Sequence, residues 1–349
     1  MSTDGGAASA AGIRGRRALR LAIGTAICLA TSFGLGWAIP MVAPVMGAFV
    51  LASFDRPLPA RAGVGLALVA MLATGSGLLI VPFLRHYPFS GVLMTGLGLF
   101  LAFRYGLRGG NSLVGTLLAA GLTMISVAGT ADIGLAVTVI AALVKGLLLA
   151  VAVLALCYWL IPEPAKRPAA PRGPAFSVHD ANWMALRSAL VVMPTVLLAL
   201  GDPAAYMPIL MKAVSLGRQS CTMARGAALE LIGSTLLGGL LAILFWWALG
   251  LFVHLWMFFL WMLLFALLLA RKLFAGPPAR LSPGFWLNTL VTLIILLGQS
   301  VEDSAAGKDV YHAFAVRMGL FIGVTLYACL VLRLLDQRRR DSHAVRPTT

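Results

Sequence analysis

Two basic residues sit inside long apolar stretches of this chain, Lys145 and Arg317. Each stands 12 residues before a cysteine, Cys157 and Cys329. A cation within a bilayer costs a few kcal/mol on insertion scales unless it meets water, a partner or the headgroups. Two such cations facing a shared axis would form a ring that attracts anions. Against this stands snorkelling, in which both long side chains reach out to the interface. Glu230 is the acid that falls inside an apolar run, and a lone carboxylate there is a candidate proton carrier. With Lys212, Arg218 and Arg225 nearby, a structural ion pair is the simpler reading.

Prolines mark a second place for chemistry. Pro44 and Pro208 lie in short apolar segments, Met41–Phe54 and Pro203–Leu216, of 14 residues each. Such a segment is only about 21 Å long as an α-helix, too short to cross a hydrocarbon core of roughly 30 Å comfortably. Proline interrupts backbone hydrogen bonding, and freed carbonyls at membrane depth survive only against protein or a watery cavity. Breaks near Pro44 and Pro208, lining a substrate pathway, are therefore expected. The alternative is a tight helical hairpin that tolerates proline. Lys212 follows Pro208 by four residues and either belongs to that pathway or marks the helix end.

The elements that position these residues follow from composition. Hydrophobic residues make up 60% of the chain and charged residues 11%, unlike a soluble globular domain. Periodicity and run length predict an all-α integral membrane protein with about twelve transmembrane helices. Six are expected in the first half, over 18–39, 41–54, 62–84, 88–103, 112–127 and 134–161. Six follow in the second, over 182–200, 203–216, 226–249, 250–270, 284–299 and 310–335. The halves read as parallel repeats. Pro44 and Arg61 lie 17 apart, as do Pro208 and Arg225, and the Lys145/Cys157 spacing recurs in Arg317/Cys329. Matching anchors in matching hydropathy blocks favour a true internal duplication. The domain organisation is then a repeat over 1–161, a Pro-rich linker over 162–180, a second repeat over 181–335 and a basic tail over 336–349. Glycines of the third span of each half, Gly63 to Gly77 and Gly233 to Gly239, read as helix packing rather than ligand contact.

A net charge of +15 could signal nucleic-acid binding, but its placement argues otherwise. With twelve crossings, nearly all basic residues fall on one side, and only Arg85 and Lys308 fall opposite. This is the positive-inside bias of a multi-pass protein with both termini and the linker cytoplasmic, in a cell inner membrane. The N-terminal run after Arg17 extends to Ile39, longer than a secretory signal, so an uncleaved first helix is expected. Cys28, Cys157, Cys221 and Cys329 are scattered, and the five histidines are isolated. No metal or cofactor site is expected, and no nucleotide-binding fingerprint or catalytic grouping stands out, so the chain does not read as an enzyme.

The Arg20–Leu51 stretch with its Pro44–Phe49 PVMGAF segment resembles the start of a fusaric-acid-resistance-type (aromatic acid exporter) permease repeat. So does the arginine followed by a glycine-rich helix over Ala224–Leu244. The resemblance implies an inner-membrane efflux permease for aromatic or other hydrophobic organic anions, proton-coupled and working with a periplasmic adaptor protein. It carries no site residues over, and the large cytoplasmic domain of the larger exporters is missing here. An anion channel and a non-transporting structural subunit stay open as alternatives, as does a homo-oligomer. The expected partners are thus a small organic anion, the lipid bilayer and the adaptor, with no nucleic acid. Cysteine-accessibility labelling in intact cells tests the topology. Single cysteines at 132 and 302 should label from outside and one at 172 should not, and the reverse pattern would overturn the orientation.

Overall fold

The computed structural model describes residues 3–54, 56, 60–162, 177–222, 228–275 and 281–344. Residues 163–176 of the linker, the repeat anchor Arg225 and the last residues of the basic tail lie outside the described residues.

Among the described residues every regular element is helical. Helix α1 covers Thr3–Gly34 and α2 covers Val42–Ser53. The third apolar stretch is interrupted: α3 (Ala60–Gly75), a 3-10 turn (Ser76–Leu79) and α4 (Val81–His86). After α5 (Pro88–Leu107) the fifth stretch is also irregular, with α6 (Ser112–Ala120), a π-helical turn (Gly121–Ile125) and α7 (Ser126–Ala131). Long helices follow: α8 (Ile133–Leu160), α9 (Val178–Gly201), α10 (Pro203–Thr222) and α11 (Ala228–Leu251). The last three are α12 (Leu255–Leu273), α13 (Pro283–Ala305) and α14 (Val310–Ala344).

Local signals explain several helix starts. Side chains of Asn111, Ser177 and Ser282 accept hydrogen bonds from the backbone N–H of Leu113, Asp180 and Phe285. Each satisfies one of the orphan donors of a helix N-terminus. Pro88 and Pro283 open their helices, where the missing N–H costs nothing.

Nine helical stretches among the described residues are long and apolar enough to cross a membrane, against twelve expected. The three that fall short are α1, α2 and α10. Arginines and small residues dilute the apolar character of α1, α2 has only 12 residues, and α10 carries Lys212 and Arg218. Large apolar side chains face outwards along the helices. Leu72, Leu79, Phe89, Trp159 and Val253 are 71–78% exposed, a surface that water would not tolerate and lipid matches. The chain is a multi-pass membrane protein.

The chain folds as two compact units, each drawn from three stretches of sequence. One comprises Met1–Leu72, Val137–Pro171 and Leu236–Ala315. Within it α1 lies along α12 and against α2, and α13 packs on both α2 and α12. The Phe33 ring meets Phe258 edge-on at 5.1 Å. Helix α2 is buried from Val42 to Leu51, and a Cβ on Gly146 of α8 would come within 3.2 Å of the Ala43 Cα.

The other unit comprises Ala73–Ala136, Arg172–Thr235 and Val316–Thr349. Here α9 packs on α5 and α10, and the 3-10 turn packs on the π turn. Hydroxyls tie α11 to α14 through Thr235 and Thr325, 3.3 Å apart, and the Tyr327 hydroxyl donates to the Leu190 carbonyl. In lipid no hydrophobic gain pulls helices together, so close packing of small residues must do so. Gly121 is the extreme case: a Cβ there would lie 2.6 Å from the Ala73 carbonyl oxygen and 2.7 Å from the Thr74 Cα. Neither neighbour is a flexible side-chain end. Gly121→Val is therefore expected to cost about 1–3 kcal/mol through forced backbone movement. Thermal unfolding in detergent should show it, whereas Gly65→Val, where a Cβ meets open space, should leave the midpoint nearly unchanged.

Candidate functional site

In the second unit a cation is buried at the centre of a helix that packs on irregular backbone. Lys212 sits midway along α10 with no exposed surface, among the largest fully buried side chains of the molecule. Helix α10 packs on α9, on α6 and α7, and on the π turn between them. It does not end near Lys212, as one of the two sequence readings held, but continues to Thr222.

The backbone around α10 is where regular hydrogen bonding fails. The 3-10 turn lets α3 give way to α4 at Gly75, and the π turn inserts a residue between α6 and α7. Carbonyls freed by such irregularity need donors, and hydroxyls supply them. Ser126 donates to the Gly77 carbonyl at 3.0 Å, Thr123 to that of Ala119 at 2.8 Å, and Ser76 to that of Ala73 at 2.7 Å. The fifth stretch is interior, with 72% of its span buried, against 28–44% for seven of the nine candidate spans. π turns of this kind concentrate at functional sites. A buried ammonium on a helix packed against hydroxyl-bearing irregular spans is a setting suited to a carboxylate or another small anion.

The first unit has a counterpart without a buried lysine. Its interior span is α13, 78% buried. Asn288, Thr292, Gln299 and Asp303 lie on α13 at steps of four, seven and four, one helical face, and all four are buried. Gln299 Nε2 donates to Met41 Sδ at 3.4 Å and to Glu302 Oε2 at 3.0 Å, which ties this face to the residue just before α2. Asp303 lies 3.9 Å from Lys308.

The residues singled out in the sequence are distributed as follows. Pro44 is buried in the first turn of α2, where its missing N–H is one that no helix would use. Pro208 is buried inside α10, and the helix runs on through it. Backbone breaks were expected at both prolines. The irregular backbone lies instead in the third and fifth stretches, at Ser76–Leu79 and Gly121–Ile125. Lys145 is exposed on α8 in the first unit, and Arg317 is half-buried on α14 in the second. Glu230 is half-buried in the first turn of α11. There a carboxylate complements the N–H groups and the positive end of the helix dipole.

Two buried arginines were passed over in the sequence as part of the basic face. Arg20 is 3% exposed and holds its guanidinium 4.1 Å above the Tyr158 ring. Arg187 is 9% exposed. Both end the same tripeptide, Ala-Leu-Arg, at 18–20 and 185–187, early in the first helix of each half. That repetition was the available signal. The helical spacing of the α13 polar residues was another.

Residues 17–157 match the family described as protein of unknown function (DUF2955). Among curated proteins and solved structures nothing matches the chain. The matched segment runs from α1 to α8.

Lys212 offers a test that separates structural need from function. Methionine keeps most of the side-chain volume of Lys212 and removes the cost of holding an ammonium away from water. Lys212→Met is therefore expected to unfold at or above the wild-type temperature. A large drop, on the order of the 3–5 kcal/mol of a broken buried pair, would make Lys212 a structural residue.

Proposed function

We propose that this protein is an inner-membrane efflux permease that moves hydrophobic organic anions, aromatic acids included, and that Lys212 supplies the positive charge that accepts the anion midway across. The observation that carries this reading is a fully buried lysine on a proline-bearing helix packed against a π turn. Structural roles rarely place a cation there, because an apolar residue would fill the same space at lower cost. Intramembrane ionisable residues mark ion and substrate pathways for that reason.

The parallel two-repeat design, with twelve membrane-embedded segments, is supported by the make-up of the units. In one, the first two helices of the first half, α1 and α2, associate with the fourth and fifth of the second half, α12 and α13. In the other, α9 and α10 associate with α5 and the α6–α7 stretch. Duplicated sequence halves that exchange equivalent helices produce this reciprocity. The family match over 17–157 coincides with the first proposed repeat. The positive-inside bias supports cytoplasmic termini. The resemblance to aromatic acid exporters supports the substrate class, proton coupling and a periplasmic adaptor as partner.

Purified protein reconstituted into vesicles tests the reading with 2-naphthoate as substrate and an imposed pH gradient. Wild type should drive gradient-dependent flux. Lys212→Met should lower it about tenfold or more, the equivalent of losing roughly 1.4 kcal/mol of substrate interaction. Lys145→Gln with Arg317→Gln should reduce flux further than either change alone. Flux that ignores the pH gradient and carries current would identify a channel. No flux from wild type, with correct insertion, would leave the structural-subunit reading.

A further inference from the structure

A groove of the second unit lies between α5 and α9, away from Lys212 in sequence and unused by the transport reading. It encloses about 720 Å³. Leu93, Leu97 and Phe100 line it from α5, and Leu186, Leu190 and Met193 from α9. The four leucines are exposed, so the groove opens on the surface that faces lipid. The groove extends along α9 from His179 to Met193, about 21 Å at 1.5 Å per residue. A hydrocarbon core is roughly 30 Å thick, so the groove reaches past the depth of one leaflet. Such length far exceeds a single aromatic acid and matches an extended acyl chain.

Only one end is polar. His179, Asn182 and Trp183 lie in the first two turns of α9, where the helix begins and a headgroup would sit. Asn182 Oδ1 and Trp183 Nε1 are buried and make no hydrogen bond among the described residues. One is an acceptor wanting a donor and the other a donor wanting an acceptor. Buried polar atoms left so are costly and imply a partner. A phospholipid supplies both kinds of group within a few ångströms, ester and phosphate oxygens for the indole N–H and a protonated amine for the amide oxygen. Tryptophan at the interfacial end of a membrane helix suits this role.

We propose that the α5–α9 groove holds the acyl chain of a phosphatidylethanolamine molecule, its headgroup anchored by Asn182 and Trp183. The deciding features are the length of the groove, its single polar end and the complementary pair of unsatisfied atoms.

Native mass spectrometry of the full chain, purified and exchanged into defined lipid, tests this. Wild type should retain a phosphatidylethanolamine adduct several-fold more than a phosphatidylcholine one, whose quaternary amine has no proton to donate. Gly96 lines the groove, and a Cβ there would sit in ordinary contact, 3.5 Å from Met193 Sδ. Gly96→Trp fills the groove and should lose the adduct, while Leu240→Trp, on an exposed face of α11, should keep it. Asn182→Leu should level the two lipids. Should Gly96→Trp fail to fold, fluorescence replaces it: the emission lost in Trp183→Phe should be the fraction most strongly quenched by a small proportion of phospholipid with dibrominated chains. Equal retention in wild type and Gly96→Trp, a wild type that prefers neither lipid, retention of a small organic acid in place of lipid, or an unquenched Trp183 would each overturn the proposal.

Discussion

Hydrocarbon offers no hydrogen bonds, so each N–H and C=O that leaves a regular helix within the bilayer must find a partner in the protein. The consequences run through this molecule. Its regular helices expose leucine, phenylalanine and valine outwards because their backbones are satisfied internally. The irregular turns of the second unit are the 3-10 turn and the π turn, where Ser76, Thr123 and Ser126 donate to the carbonyls of Ala73, Ala119 and Gly77. The hydroxyls do more than decorate these spans. Ser126 gives the Gly77 carbonyl a second donor beside the Ile80 N–H and so ties the two turns together where Gly77 and Gly121 approach.

The same constraint explains where charge is tolerated. Arg20 is buried, yet its guanidinium is spread over the Tyr158 ring, and the Tyr158 hydroxyl donates to the Phe54 carbonyl. An arginine so placed is held by the faces of α1 and α8 and behaves as a structural rivet at the end of the first unit. Lys212 sits at the middle of a helix rather than near its end. An ammonium is a compact, strongly hydrated charge that desolvates at higher cost than a guanidinium. Arg20 and Lys212 thus differ in kind.

Much of this arrangement was legible in the sequence. Run length and composition give the helices, because a bilayer allows few other solutions, and the short proline-bearing segments are where α2 and α10 lie. What proline does there was misjudged. Pro44 falls in a first turn and disturbs nothing, and Pro208 is absorbed by a continuing helix, since neighbours can re-satisfy the one carbonyl it frees. The breaks came at glycines instead. Gly75, Gly77 and Gly121 permit irregular turns only because two backbones meet there, a tertiary fact that a glycine-rich apolar stretch does not announce. The depth of Lys212 was hidden for a similar reason: hydropathy ends the segment near it, while the helix runs on through Arg218 to Thr222.

The interior spans show how polar character can mislead. A hydropathy scale penalises α13 for Asn288, Thr292, Gln299 and Asp303, yet it is the most buried of the candidate spans. Polar side chains at helical spacing cannot face lipid, so they turn the helix inwards, and a helix turned inwards on all sides must be surrounded by others. The α6–α7 stretch reaches the same position in its own unit with threonine, serine and a π turn instead of amides and a carboxylate. Each unit therefore contains an interior helix that carries hydrogen-bonding groups and packs against a short proline-bearing helix, α2 with α13 and α10 with the π turn. The two proline-bearing helices differ in charge: Lys212 stands on α10, whereas none of the 12 residues of α2 is ionisable. Duplication would supply the shared framework, and Lys212 at the centre of α10 would then make one of two similar interiors the place where an anion is met.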